Sequence, residues 1–237
     1  MNKTLARLSL LLCTLLPAAP LARASEPNTL SDTEQSGGWH LLFDGSSLKG
    51  WRSLTDPDPG AGWKVIDGCI VRTAKAGDLL TIDDFGDFEL SIEWKVADET
   101  NSGILYRVSL SEAQTFYTGP EFQILDNIHG GDRLDPKHTA GALYDLVAPT
   151  KDVTRPVGSW NETRILVKGW HIEHWLNGEK IVDIDLDSPE GRALKAHSKF
   201  SSMSSFASYK HGHFALQDHG GMVSFRNIKV RELPSGP

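Results

Sequence analysis

The chain has 237 residues, of which 39% are hydrophobic and 23% are charged, a composition typical of a globular protein with one sizeable core. Its formal net charge at pH 7 is −7, and an acidic chain is poorly suited to binding nucleic acid or anionic membrane surfaces. We therefore expect a single domain that binds neither of these.

The first 24 residues have the pattern of a secretory signal peptide. Lys3 and Arg7 form a basic start, an apolar run extends over 8–16, and residues 22–24 form an A-x-A cleavage signal. Removing them would leave 21 basic and 31 acidic residues, a formal charge of −10, and Cys69 as the single cysteine. No later apolar run approaches the length of a membrane span. We expect an exported protein, periplasmic or extracellular, that has no internal disulfide and is not inserted in a membrane.

The mature chain is expected to form one domain with short flanking segments. Residues 25–38 are polar and have no hydrophobic period, which predicts a flexible N-terminal arm. The domain is expected over 39–233, and residues 234–237 form a tail.

The dominant pattern after residue 39 is short β-rich runs separated by turns. Asp67-Gly68 in "WKVIDGCIVRT" and Asn177-Gly178 in "WHIEHWLNGEKIVDIDL" each lie between two β-branched runs and predict hairpins. Residues 88–96 alternate apolar and polar side chains, as in a strand with one buried face. Further strand-like runs cover 101–108, 121–126, 140–146, 163–169, 213–218 and 222–231.

About a dozen strands with almost no helical period predict an all-β fold, a two-sheet antiparallel β-sandwich of jelly-roll type. The exception is 188–198, where Ser188-Pro189-Glu190 predicts the start of one short helix. The Ser-rich segment 198–212 that follows is predicted to be a long loop flanking a binding groove.

Three of the predicted strands place large polar side chains on one face. Arg107 shares a face of its strand with Asn101, and Gln123 shares one with Glu121. Gln217 occupies the equivalent row of "HFALQDH". If these strands are neighbours, the row could bind hydroxyl-rich ligands through guanidinium, carboxylate and carboxamide groups. The alternative is a solvated sheet surface.

Titratable groups also lie at strand ends and in loops. Asp126 ends the "QILD" run, His138 lies in "DPKHTAGALYD", and Asp218-His219 precede two glycines that would let a ligand approach the backbone. Such groups could transfer protons. Alternatively, the aspartate caps the turn and the histidine bonds to a neighbouring loop.

Seven blocks of the chain, in order, resemble the 3-keto-disaccharide hydrolase family, over about residues 39–233. They are "WHLLFDGSSLKGW", "NSGILYR", "GPEFQILDN", "AGALYD", "RPVGSWNETRILVKG", "HWLNGEKIVDID" and "HFALQDHGGMVSFRNIKVREL". The resemblance implies a concanavalin A or laminin-G-like jelly roll. It also implies an exported bacterial protein acting on sugars whose C3 hydroxyl has been oxidised to a ketone by a partner sugar 3-dehydrogenase.

The implied reaction is removal of the C2 proton, made acidic by the C3 ketone, followed by β-elimination of the glycosidic oxygen and addition of water. Glu121 or His219 would be the base, and Arg107 or a bound cation would stabilise the enolate. The expected substrate-binding residues are Asn101, Gln123, Asp126, Tyr144, Gln217 and His138. No nucleotide cofactor is expected, and the metal content is left open, with a divalent cation compatible with the chemistry.

Two alternatives remain from the sequence. One is a non-catalytic carbohydrate-binding module, since the same fold supports both functions. The other is an ordinary retaining glycosidase, which would usually show a Glu-x-Asp-x-x-Glu strand. The run "EFQILD" lacks the second glutamate.

Overall fold

The structure is a computed structural model that describes residues 26–234. The predicted signal peptide, residues 1–24, lies outside the described residues. Within 26–234, no helix is both long and apolar enough to cross a bilayer.

Thirteen β-strands form two antiparallel sheets in the described part of the chain, which confirms the predicted all-β sandwich. The strands are β1 (Trp39–Leu41), β2 (Trp51–Ser53), β3 (Trp63–Ile66), β4 (Cys69–Arg72), β5 (Leu79–Thr81), β6 (Phe88–Val96), β7 (Asn101–Val108), β8 (Glu121–Leu125), β9 (Asn161–Lys168), β10 (His171–Leu176), β11 (Glu179–Asp185), β12 (His213–Leu216) and β13 (Val223–Glu232). The larger sheet has the order β11-β10-β9-β6-β13-β4-β3, with β1 paired to β13. The smaller sheet has the order β2-β5-β12-β7-β8.

The core lies between the two sheets and is built from the apolar rows of their strands. Along β6, Phe88, Leu90, Ile92 and Trp94 are all buried, as their alternating pattern predicted. They pack with residues such as Phe122 of the smaller sheet in one continuous apolar cluster. The opposite rows of the two sheets therefore form the outer surfaces of the sandwich.

Both predicted hairpins are present. Asp67 and Gly68 connect β3 to β4 with φ values of +49° and +72°, and Asn177 and Gly178 connect β10 to β11 with φ values of +50° and +86°. Two successive positive φ values define the tight turn that Asx-Gly sequences favour, because these residues adopt that region at the lowest cost.

Residues 140–146 are not a strand, contrary to the prediction. Leu143 forms isolated bridges with Phe122 and Val147, but no ladder continues from it. Gly141 and Asp145 have φ values of +91° and +61°, and this left-handed backbone turns the chain after every few residues. The segment is a compact turn that lies against β8.

Two α-helices flank the sheets within residues 26–234, although one was predicted. The predicted one is present as α2 (Pro189–Ala196), where the Ser188 hydroxyl accepts a hydrogen bond from Gly191 N. The second, α1 (Asp32–Ser36), lies where a flexible arm was expected, because Ser31 and Glu34 form a reciprocal capping box.

Candidate active site

Three strands of the smaller sheet place polar side chains on its outer face, which points away from the larger sheet. Glu121 and Gln123 alternate along β8 with apolar residues that face the core. Gln123 is opposite Gly103 of β7, and Gln217 N donates a hydrogen bond to Gly103 O at 2.9 Å. The structure therefore brings together Glu121, Gln123 and Gln217 of the row that the sequence predicted.

These side chains line a cavity of about 360 Å³, a volume suited to a small-molecule ligand. The cavity is open on one side and combines carboxyl, carboxamide, ammonium, imidazole and aromatic groups. The lining residues are Asp78, Gln114, Phe116, Glu121, Gln123, Tyr144, Lys199, Gln217, Asp218 and His219.

Glu121 is the buried acid of this cavity, with 5% of its surface exposed. Burial raises the pKa of its carboxyl from 4.5 to about 8, an effect that the Lys199 ammonium partly opposes and the Asp78 carboxyl reinforces. A Cβ atom at position 103 would lie 2.0 Å from Glu121 Oε1, so Gly103 leaves the space that the carboxyl occupies. Glu121 is thus held in place while able to exchange a proton near neutral pH.

In the side-chain amides of Gln123 and Gln217, the nitrogen donates a hydrogen bond and the oxygen accepts none from the described residues. Gln123 Nε2 donates to Asn101 Oδ1 at 3.3 Å, and Gln217 Nε2 donates to Glu121 Oε2 at 3.4 Å. The Oε1 atoms of both glutamines are buried and have no hydrogen-bond partner within residues 26–234. Two acceptor atoms in the cavity are therefore available to a ligand that donates hydrogen bonds.

Asn101 and His138 support the cavity from behind rather than lining it. The Tyr144 hydroxyl donates to Asp132 Oδ2 at 3.2 Å, and Asn101 Nδ2 donates to the same oxygen at 3.4 Å. The His138 ring stacks on the Tyr144 ring with centroids 4.4 Å apart, and its Nε2 lies 3.0 Å from Asp145 Oδ1. Burial raises the pKa of Tyr144, so its phenol stays neutral. His138 thus contacts Tyr144 directly, whereas Asn101 shares the Asp132 carboxylate with the Tyr144 hydroxyl.

Asp218 fixes the end of β12, which is the capping role left open by the sequence. Its Oδ2 accepts hydrogen bonds from Ala76 N and Gly77 N at 2.5 and 2.7 Å, and its Oδ1 pairs with Arg72. Although burial opposes ionisation, these bonds hold the pKa of Asp218 below its usual value. His219, the next residue, is exposed at the rim of the cavity.

Arg107 does not face the cavity, although the sequence assigned it to stabilise the enolate. The register between β7 and β12 shifts at a β-bulge, and Arg107 has a φ of +53°, which turns its side chain out of the row. Its guanidinium donates to Gly86 O at 3.0 Å, to Gly169 O at 2.5 Å and to Asp87 Oδ1 at 2.9 Å. Arg107 therefore joins the loops at one end of the sandwich.

Asp126 does not line the cavity either, although the sequence predicted it to bind substrate. It is buried just after β8, where its carboxylate accepts hydrogen bonds from Ile128 N at 2.9 Å and Glu99 N at 3.0 Å. The chain turns directly after the strand, and Asp126 caps this turn.

Two clusters among the described residues have the spacing to hold a metal ion, and both lie away from the cavity. Each has three ligand atoms within 4.8 Å of one another. They are Asp98 with Asp126 and His129, and His171 with Glu173 and Asp183.

Sequence reasoning missed four cavity residues: Asp78, Gln114, Phe116 and Lys199. Asp78 precedes β5, and its carboxylate accepts hydrogen bonds from the Thr115 hydroxyl and, at 2.8 Å, from Asp218 N. Lys199 belongs to the Ser-rich loop that was predicted to flank a groove, and this was the one signal pointing towards it. No local pattern identifies the other three, because they reach the cavity through folding of segments that are distant in sequence from β8.

The two sheets, with the cavity on the outer face of the smaller one, define a concanavalin A-like β-sandwich protein with a polar, acid-containing ligand site. The chain belongs to the family described as the 3-keto-alpha-glucoside-1,2-lyase-like domain, whose model matches residues 38–231. This confirms the resemblance drawn from the ordered sequence blocks.

Two relatives agree with this assignment. A protein of Bacteroides thetaiotaomicron named 3-keto-disaccharide hydrolase is 29% identical over 243 residues, covering 89% of this chain and 84% of that protein. A crystal structure of a candidate glycosyl hydrolase from Parabacteroides distasonis has a TM-score of 0.82 and 31% identity, covering 88% of this chain and all of that one.

Proposed function

We propose that the protein cleaves the glycosidic bonds of 3-keto-glycosides, including 3-keto-disaccharides, by removing the C2 proton and eliminating the C1 oxygen. The observation that supports this most directly is Glu121, a buried carboxyl with a pKa of about 8 inside a ligand-sized cavity. The family and the named relative supply the substrate class.

The chemistry requires one well-placed base. A ketone at C3 makes the C2 proton acidic because the resulting carbanion is an enolate, and the C1 oxygen then leaves by β-elimination. Water adds to the unsaturated sugar in a later step, so the net result is hydrolysis. The paired carboxylates at fixed separation that ordinary glycosidases use are not needed.

Glu121 suits the role of base better than His219. A general base works best when its pKa is near the working pH, and burial brings the Glu121 carboxyl into that range. His219 is exposed at the rim, where solvent competes for its ring nitrogens. We assign the C2 proton to Glu121 and a contact with the outer part of the substrate to His219.

The rest of the cavity suits a sugar ring. The unpartnered Oε1 atoms of Gln123 and Gln217 can accept hydrogen bonds from hydroxyl groups. Tyr144 and Phe116 offer aromatic surface for the apolar side of the ring. A ligand rich in donors would satisfy buried acceptors that otherwise destabilise the free protein.

The same proposal includes the setting of the reaction. The signal-like N-terminus supports export to the periplasm or the outside of the cell. A substrate with a C3 ketone must come from an oxidation, so a sugar 3-dehydrogenase is the functional partner we expect.

Turnover of the purified mature protein tests the proposal. A 3-keto-glucoside and its unoxidised parent would be compared, with and without a chelator, by following aglycone release. We expect release from the keto sugar alone, and chelator sensitivity would show that a metal takes part. Release from both sugars would indicate an ordinary glycosidase. Release from neither, with the sugar bound, would favour a carbohydrate-binding module.

A further inference from the structure

We propose that Lys199 is a catalytic residue of this site and that its ammonium stabilises the enolate oxygen formed at C3 of the substrate. This inference rests on the function proposed above. It fills the position left vacant by Arg107, whose side chain lies outside the cavity.

The ammonium of Lys199 lies in the cavity without a carboxylate partner. Its Nζ is 4.0 Å from the centroid of the Tyr144 ring and 5.1 Å from that of Phe200, so aromatic faces hold it. None of the ion pairs formed between residues 26 and 234 involves Lys199. A cation that lines a ligand cavity and has no fixed anion is available to an anion that develops in the ligand.

The loop that follows α2 places this side chain. Lys199 N donates to Asp145 Oδ2 at 2.6 Å, which fixes the backbone beside the Tyr144 turn. The Ser198 hydroxyl donates to Lys195 O at 2.8 Å and accepts from Phe200 N at 3.1 Å. The backbone at Lys199 is therefore fixed before substrate binds, and the contact of its Nζ with the Tyr144 ring directs the ammonium to the cavity, which lowers the reorganisation cost of electrostatic stabilisation.

Several carboxylates lie close enough to the Lys199 ammonium to act on its pKa. The Glu121, Asp145 and Asp132 carboxylates act on Lys199 from β8 and the turns next to it, and each favours the charged ammonium. Although part of the side chain is in solvent, burial of the ammonium lowers the pKa of Lys199. In turn, the ammonium lowers the pKa of Glu121, so the two groups are electrostatically coupled.

The reaction can be written with its atoms and electrons balanced. Glu121 takes the C2 proton, the C–H electron pair forms the C2–C3 double bond, and the carbonyl oxygen becomes an enolate that accepts a hydrogen bond from Lys199. An oxygen electron pair then re-forms the C3 ketone, the pair of the C2–C3 double bond forms the C1–C2 double bond, and the pair of the C1–O bond leaves with the glycosidic oxygen. The leaving oxygen takes the proton held by Glu121, and Lys199 ends the cycle as the same ammonium.

The test compares Lys199→Met and Lys199→Arg with Lys210→Met, which changes a lysine of the same loop that does not line the cavity. Aglycone release from a 3-keto-glucoside gives kcat and KM. Exchange of the C2 proton with deuterium, followed by NMR on a 3-keto sugar without a leaving group, reports the enolate step alone.

We expect Lys199→Met to lower kcat and the exchange rate together, by about 100-fold or more, with KM little changed. Lys199→Arg should recover part of both, and Lys210→Met should match the wild type. The lower limb of the kcat/KM pH profile should move to higher pH in Lys199→Met, because the ammonium that lowers the pKa of Glu121 is absent.

A rise in KM at unchanged kcat and exchange would overturn the inference, since Lys199 would then only bind substrate. Trapping of the keto sugar on Lys199 by borohydride reduction would also overturn it, because the lysine amine would then form a covalent imine with the C3 ketone. An active wild type with an equally active Lys199→Met refutes this inference alone. A wild-type protein that neither exchanges the C2 proton nor releases aglycone refutes the proposed function and this inference with it.

Discussion

Two groups of buried polar side chains, one between the sheets around His174 and one in the cavity around Glu121, differ in how completely they are hydrogen-bonded. Between the sheets, His174 Nδ1 lies 3.0 Å from Gly141 O, and its Nε2 lies 3.0 Å from the Tyr106 hydroxyl. A carbonyl can only accept, so Nδ1 carries the proton and Nε2 accepts from tyrosine. Burial lowers the pKa of His174 to about 4, which keeps the ring neutral.

In the cavity, by contrast, the network is incomplete. The Oε1 atoms of Gln123 and Gln217 have no partner among the residues that the structure describes, and Glu121 retains its proton near neutral pH because of burial. An unpaired buried polar group costs about 1–3 kcal/mol. The comparison teaches that protein groups satisfy the hydrogen bonds of the buried polar side chains in the core, whereas those of the cavity are left for a ligand to satisfy.

The largest expected effect is the loss of turnover in Glu121→Gln. The carboxamide keeps the shape but cannot take the C2 proton, so kcat should fall by about 10²–10⁴-fold. Glu162→Gln, which changes an exposed glutamate of β9, is the control and should leave turnover unchanged. Comparable turnover in the two variants would remove Glu121 from the mechanism.

Removing the hydrogen bonds of His174 in the core should lower the stability of the protein. His174→Ala removes both ring hydrogen bonds and leaves Gly141 O unpaired in a close-packed region, so the free energy of unfolding should fall by about 3 kcal/mol. Denaturant titration at pH 7 measures this change. A loss below about 1 kcal/mol would mean that the hydrogen bonds of His174 in the core stabilise the fold no more than the long hydrogen bonds of Gln123 and Gln217 in the cavity.

The raised pKa of Glu121 also predicts how stability depends on pH. The folded protein keeps its proton up to about pH 8, whereas the unfolded chain releases it near 4.5, so this contribution to stability is lost as pH rises between these values. Glutamine does not titrate. The stability of Glu121→Gln relative to the wild type should therefore increase by up to about 1.4 kcal/mol per pH unit between pH 5 and pH 7. A difference in the free energy of unfolding that does not change with pH would contradict the raised pKa of Glu121.

The smallest effect on stability is expected for Gln217→Leu. Its Oε1 has no partner to lose and its Nε2 makes one long hydrogen bond, 3.4 Å to Glu121 Oε2, so the free energy of unfolding should stay within about 1 kcal/mol of the wild type. The KM for the keto sugar should nevertheless rise several-fold, because a hydroxyl of the substrate loses its acceptor. A strongly destabilised variant with unchanged KM would show that Gln217 is a structural residue.

The sequence predicted those features that depend on local pattern. The alternation of residues 88–96 and the two Asx-Gly turns are local, and both were correct. The row formed by Glu121, Gln123 and Gln217 follows from the two-residue period of paired strands.

The features that were missed depend on irregular backbone or long-range contacts. Arg107 leaves its row at a β-bulge, and no pattern of residues in the sequence predicts this bulge. Lys199 and Asp78 reach the cavity from segments distant in sequence from β8. Asp145 has a left-handed backbone without being a glycine, so the turn that replaces the expected strand at 140–146 was not recognised.

The structure of Glu121→Gln bound to an intact 3-keto-glycoside tests the central claim most directly. We predict that the sugar lies in the cavity, with hydroxyl groups within hydrogen-bond distance of the Oε1 atoms of Gln123 and Gln217 and with C2 facing residue 121. A sugar bound elsewhere on the sandwich, or one in the cavity whose C2 faces away from residue 121, would contradict the account.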